Sequence, residues 1–133
     1  MIAYASRTGN VRHIFLQLGL PGIEIRGDTT VGEPFLLLTY TDGLGEVPPV
    51  VEVFMNRNGA YCRGVVASGN RNFGHAHFGR AGDVIAERWN VPLVRKLELR
   101  GFPRDYEAIR QFYLERIGEG SGREREIVFA SEQ

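Results

Sequence analysis

Apolar positions come in short runs separated by longer amphipathic stretches. Phe35-Leu36-Leu37-Leu38 is apolar without alternation, the pattern of a central strand covered on both faces. Strands are predicted at 2–5, 23–26, 35–40, 63–68 and 93–99. Helices are predicted at 11–18, 49–57, 82–89 and 104–117. In the last of these, Ile109, Phe112, Tyr113 and Ile117 recur at helical spacing and should face the sheet. Pro103 before it and Gly118 after it supply start and stop signals. Strands interleaved with helices predict an α/β fold, a doubly wound five-stranded parallel sheet in the order 2-1-3-4-5 with helices on both faces. No internal repeat is visible.

In that topology a ligand sits outside the C-terminal strand ends, at the switch point between the first and third strands. The loops after Ala5, Tyr40 and Ser68 should meet there, and they are the most unusual loops in the chain. The first is Ser6-Arg7-Thr8-Gly9-Asn10-Val11. A strand, a hydroxyl-and-glycine turn and a helix together suit a phosphate, because free N–H groups and the helix N-terminus attract an anion without a lysine. Ser6 and Thr8 can donate hydroxyl hydrogen bonds, Gly9 can take a positive φ, and Asn10 is the expected helix N-cap. Neither Gly-x-x-x-x-Gly-Lys-Ser/Thr nor Gly-x-Gly-x-x-Gly is present, so a single phosphate monoester fits better than a nucleotide or dinucleotide. The alternative is a polar turn that caps the helix and binds nothing.

The second loop, Thr39 to Pro49, carries Gly43 and Gly45 for close ligand approach, and Tyr40 offers a flat face to a planar ring. Its alternative is an ordinary strand-to-helix connection. The third loop, Ser68 to Gly74, has Asn70 and Asn72 to read the polar edge of a heterocycle and Phe73 to stack on or shield its face. Arg71 either supplies positive charge near an anionic ring or faces solvent. His75 and His77 are too few for a zinc site, and no Gly-x-Ser-x-Gly elbow supports a serine triad. Cys62, the single cysteine, excludes an intrachain disulfide or multi-cysteine cluster and reads as a strand residue without a chemical role.

With 133 residues, the chain should form one domain over 1–118. The tail 119–133 opens with a glycine-serine stretch and a mixed-charge run, and is expected to lie outside the fold and be mobile. Sixteen basic and 16 acidic residues cancel, which argues against broad binding to nucleic acid. Fifteen of the 16 basic residues are Arg, a bias to which no function attaches. No signal peptide or membrane-spanning run is seen, so a cytoplasmic location is expected.

The three loops together resemble the NrdI family, flavodoxin-like FMN proteins that assist class Ib ribonucleotide reductase. The likeness rests on Ser6-x-Thr8-Gly9-Asn10-Val11, Thr39-Tyr40-Thr41-x-Gly43-x-Gly45-x-Val47-Pro48 and Ser68-Gly69-Asn70-Arg71-Asn72-Phe73-Gly74, and runs to about Ile117. The first motif alone would admit any flavodoxin, whereas the third is much more specific. The resemblance implies non-covalent FMN. A reduced flavin reacts with dioxygen, and an oxidant taken to be superoxide passes to the dimanganese site of the reductase small subunit for tyrosyl-radical assembly. A separate, unidentified electron donor must reduce the flavin.

By that resemblance, Ser6, Arg7, Thr8, Gly9, Asn10 and Val11 enclose the phosphate. Tyr40, Thr41, Gly43, Leu44 and Gly45 line the ring from the second loop, and Gly69, Asn70, Asn72 and Phe73 hold it from the third. No protein residue is catalytic, though the peptide at Gly43 would reorient with the flavin's redox state. The chain departs from the family pattern where Leu44 replaces a common aromatic and Phe73 a familiar Trp. Asp42 also sets a carboxylate near the ring, disfavouring a reduced anionic flavin unless Arg71 offsets it. Two other readings remain: a general flavodoxin passing single electrons between enzymes, and a flavin-free module acting through protein contacts. Receiver domains share the topology but need acidic residues where Ala5 and Ser6 stand.

Overall fold

The computed structural model describes residues 1–118, so the tail expectation lies outside the described residues. Five parallel strands form one sheet: β1 (Ile2–Tyr4), β2 (Gly22–Glu24), β3 (Phe35–Tyr40), β4 (Cys62–Gly69) and β5 (Leu93–Glu98), in the order β2-β1-β3-β4-β5. Four helices alternate with them: α1 (Asn10–Leu18), α2 (Pro49–Asn58), α3 (Arg80–Trp89) and α4 (Pro103–Arg116). The doubly wound sheet expected from the apolar pattern is therefore the observed one.

β3 explains the uninterrupted run. Leu36 and Leu38 belong to the core under α1 and α4, with Ile14, Ile109 and Tyr113. Phe35 and Leu37 belong to the opposite core under α2 and α3, with Val51, Phe54, Met55 and Ile85. Side chains alternate between faces along a strand, and here both faces are buried. Ile109, Tyr113 and Ile117 are buried against the sheet, and Phe112 packs beside them. A Cβ on Gly64 would lie 3.0 Å from the Phe112 ring, so the missing side chain in β4 lets α4 lie close. Asp105 anchors the start of α4: its Oδ2 accepts from the Phe102 N–H at 2.8 Å, and its Oδ1 accepts from Arg95 Nε at 2.8 Å.

The expected N-cap is corrected. Gly9 holds that position with φ 95°, and Asn10 is the first residue of α1. Capping passes to Ser6, whose Oγ accepts from the Arg12 N–H at 3.1 Å. The left-handed turn at Gly9 directs the chain into the helix, and there a Cβ would be strained. β5 stops one residue earlier than expected because Leu99 turns to φ 53°, an uncommon conformation for a side chain of its size.

Cys62 is buried in β4 and donates weakly to the Gly64 carbonyl. Burial pushes its thiol up from 9.0 to about 11, and pushes the Tyr113 hydroxyl from 10.0 to about 12. Between those values the folded chain keeps a proton that the unfolded chain has lost, so stability falls as pH rises. For Cys62 the expected fall is about 2–3 kcal/mol between roughly pH 9 and 11. Chemical denaturation of wild type and Cys62→Ala across that range should show a shallower decline in the variant.

Candidate functional site

Loops from the C-terminal ends of β1, β3 and β4 converge on an open cavity of about 290 Å³. Its wall contains Ser6, Arg7, Thr8, Asn10 and Val11 from the first loop, Tyr40, Thr41 and Gly43 from the second, and Gly69, Asn70 and Phe73 from the third. Of the other expected residues, Gly9, Leu44, Gly45 and Asn72 lie outside the wall. Ser68, His77 and Leu99 complete it.

The first loop presents a row of free donors. The N–H groups of Thr8, Gly9, Asn10 and Val11 have no main-chain or side-chain acceptor among the described residues. Three of these residues line the cavity, and the helix dipole of α1 adds partial positive charge. The Ser6 oxygen accepts from the helix, which leaves its hydroxyl proton to donate elsewhere.

The second loop closes as a small turn: the Asp42 N–H donates to the Glu46 carbonyl at 2.8 Å, and the Glu46 N–H to the Asp42 carbonyl at 2.7 Å. Gly43 sits at φ 46° and Gly45 at φ 108°. A Cβ at Gly45 would also stand 2.6 Å from Arg80 Cδ, so close packing demands this glycine independently of any ligand. Arg7 reaches across from the first loop. Its Nη1 donates to Asp42 Oδ1 at 2.9 Å, and its guanidinium carbon lies 5.4 Å from the Tyr40 ring centre. Burial raises the Tyr40 hydroxyl above its ordinary value, with the Asp42 charge adding and the Arg7 charge opposing.

The expected offset of Asp42 by Arg71 is thus corrected: Arg7 is the ion-pair partner, while the Arg71 guanidinium stacks 4.6 Å from the Phe78 ring centre. The third loop is fastened to the end of β5. Ser68 Oγ donates to the Leu99 carbonyl at 2.6 Å, the Leu99 N–H donates to the Gly69 carbonyl at 2.9 Å, and Glu98 accepts from the Arg71 N–H at 2.8 Å. This fastening brings Leu99 to the cavity. A Cβ on Gly69 would lie 2.7 Å from the Gly79 nitrogen, so the loop's return path needs that glycine. Asn70 Oδ1 accepts from the Asn72 N–H at 2.9 Å, leaving the Asn70 amide NH₂ to face other partners. Thr41 Oγ1 and His77 Nδ1 are buried with no hydrogen-bond partner.

His77 was legible only as a weak metal ligand, and no group of three His, Cys, Asp or Glu side chains suited to a metal occurs among the described residues. Leu99 carried no motif. The strand-end rule applied to β5 was the one signal for it. No helix among the described residues is long and apolar enough to cross a membrane.

The NrdI flavodoxin-like family model matches residues 2–111. Among solved structures, a short-chain flavodoxin associated with a PDU bacterial microcompartment is similar at a TM-score of 0.65 and 20% identity, over 84% of this chain and 90% of that one. Oxidised flavodoxin 1 from Bacillus cereus is similar at a TM-score of 0.61 and 21% identity, over 86% and 93%. At such identities the two structures speak for the fold alone.

Proposed function

The chain belongs to the NrdI flavodoxin-like family, and from that premise we propose that it is an FMN-binding redox protein serving the small subunit of a class Ib ribonucleotide reductase. The observation that carries the reading is the row of unpartnered N–H groups at the start of α1, opening onto a cavity whose other walls hold Tyr40 and Phe73. The residues present fit a flavin with one terminal phosphate. Its anionic end meets donors, its ring meets flat apolar faces, and two buried polar atoms wait on the same wall. A bound and reduced FMN would supply single-electron reduction of dioxygen to superoxide, the oxidant for the subunit's dimanganese site.

Ser6, Thr8 and the N–H groups from Thr8 to Val11 would hold the phosphate, with Arg7 in the same loop turned to Asp42. Tyr40, Thr41 and Gly43 would line the ring from the second loop, and Gly69, Asn70 and Phe73 from the third. Leu44, Gly45 and Asn72 shape their loops around it, outside the wall itself. Arg7 pairs with Asp42 and so offsets part of the repulsion that this carboxylate would exert on a reduced anionic ring. Phe73, in the wall, is 56% exposed, and Leu44, outside the wall on the second loop, is 62% exposed, which leaves apolar surface open to dioxygen and to a docking partner.

Gly43 tunes the redox chemistry by letting its peptide turn. At φ 46° it is in the left-handed region, and its N–H is held only by the Asp42 carboxylate at 3.1 Å. A β-branched side chain is strongly disfavoured at that φ and would meet Glu46 Oε1 at 3.1 Å. Gly43→Val is expected to shift the flavin reduction potentials by tens of millivolts, a strain of about 1–3 kcal/mol divided between redox states, with phosphate binding almost intact. Spectroelectrochemical titration reads both, and unchanged potentials would remove this role.

The reading as a whole is tested by flavin content and reactivity with air. The purified protein should carry close to one FMN per chain, and after anaerobic reduction it should consume dioxygen quickly. A protein that takes no flavin fails the reading. One whose reduced form persists in air while feeding electrons to other acceptors is a general flavodoxin.

A further inference from the structure

Among the described residues, Thr41 Oγ1 and His77 Nδ1 are the only buried side-chain N or O atoms without a hydrogen-bond partner, and both residues line the same cavity. Native proteins leave few such atoms, and each calls for an explanation. A structural role does not explain His77. Its main chain is held at both ends, with the N–H donating to the Gly74 carbonyl at 3.2 Å and its own carbonyl accepting from Arg80 at 3.2 Å, yet no protein atom satisfies its ring nitrogen. A metal does not explain it, since no three-ligand cluster exists among the described residues. The cavity is the place from which a partner can come.

We infer that His77 contacts the cofactor, its Nδ1 exchanging a hydrogen bond with the heterocyclic edge of the flavin while Thr41 serves the same edge from the second loop. This rests on the flavin reading above. The chemistry matches on both sides. Imidazole Nδ1 donates in one tautomer and accepts in the other, and a threonine hydroxyl does both. The dioxopyrimidine end of a flavin presents carbonyl acceptors beside an N–H donor. With the phosphate anchored by the first loop, the ring is the part of the ligand left to meet the second and third. An apolar edge there would bury both orphan atoms unpaired.

The experiment titrates apo-protein with FMN, following flavin fluorescence, for wild type, His77→Phe and His77→Asn. In parallel, the Nδ1 resonance of ¹⁵N-histidine-labelled wild type is recorded without and with FMN. Phe keeps the ring shape and removes the hydrogen bond, so it is expected to weaken binding about tenfold. Asn restores a donor and an acceptor near the Nδ1 position and should recover most of the affinity. The His77 Nδ1 resonance should move on FMN addition. Wild-type affinity in His77→Phe, or an Nδ1 resonance indifferent to bound FMN, overturns the inference and leaves the flavin reading intact. If wild type itself takes no FMN, the flavin reading fails and the inference falls with it.

Discussion

Riboflavin should bind this protein about a hundredfold or more weakly than FMN, because hydrogen bonds to a charged phosphate contribute roughly 1.5–3 kcal/mol each and at least two should be lost outright. The expectation follows from the start of α1. Thr8, Gly9, Asn10 and Val11 each present an N–H with no acceptor among the described residues, and Ser6 keeps a hydroxyl proton free to donate. The helix dipole favours a dianion there. No second phosphate-binding motif is present for the remainder of an FAD, so FAD should bind poorly as well. Thr8→Val keeps the bulk of the side chain and removes one hydroxyl donor, with an expected loss of about 1–3 kcal/mol for FMN and little change for riboflavin. Isothermal titration of apo-protein with both ligands, in both forms, measures the difference. Equal affinity of wild type for the two ligands would contradict the phosphate assignment.

Much of the candidate site's wall is legible in the sequence because it hangs on strand ends. The unbroken run at Phe35–Leu38 suited a strand buried on both faces, and it is one. Once the order of the strands was set, the rule for doubly wound sheets placed the loops after Ala5, Tyr40 and Ser68 together, and they share one cavity. What escaped the sequence depends on details finer than periodicity. Asn10 looked like a cap, but capping depends on which residue takes the left-handed turn, and Gly9 does so while Ser6 reaches back from the strand end. Arg71 looked like the counter-charge to Asp42 from its place in the third loop. The side chain that arrives is Arg7, which is 35 positions away in the chain but adjacent across the β1–β3 edge. Leu99 enters the site only because Ser68 and Gly69 bind its main chain, a pairing across β4 and β5 that no local pattern announces. His77 was visible as a residue but not as an unpartnered one, since burial and the lack of an acceptor are properties of the packed chain. Gly45 was read as allowing close ligand approach, and Gly69 as holding the ring. Both are also required by neighbouring protein atoms, Arg80 and the Gly79 main chain, which sequence alone does not distinguish.

The function read from the family goes further than the fold, because flavodoxins with the same topology shield a reduced flavin from air instead of exposing it. Phe73, a wall residue left largely exposed to solvent, is the feature of this chain on which the proposed reaction with dioxygen beside a docked partner rests. The most direct measurement mixes the reduced, FMN-loaded protein with the manganese-loaded small subunit of its cognate class Ib reductase, admits dioxygen, and records the electron paramagnetic resonance spectrum. A tyrosyl radical is expected in high yield, essentially none without this protein, and only partial suppression when superoxide dismutase is present in bulk, because the oxidant travels through the interface. No radical in the cognate manganese subunit, from a reduced protein that still passes electrons readily to other acceptors, would contradict the account.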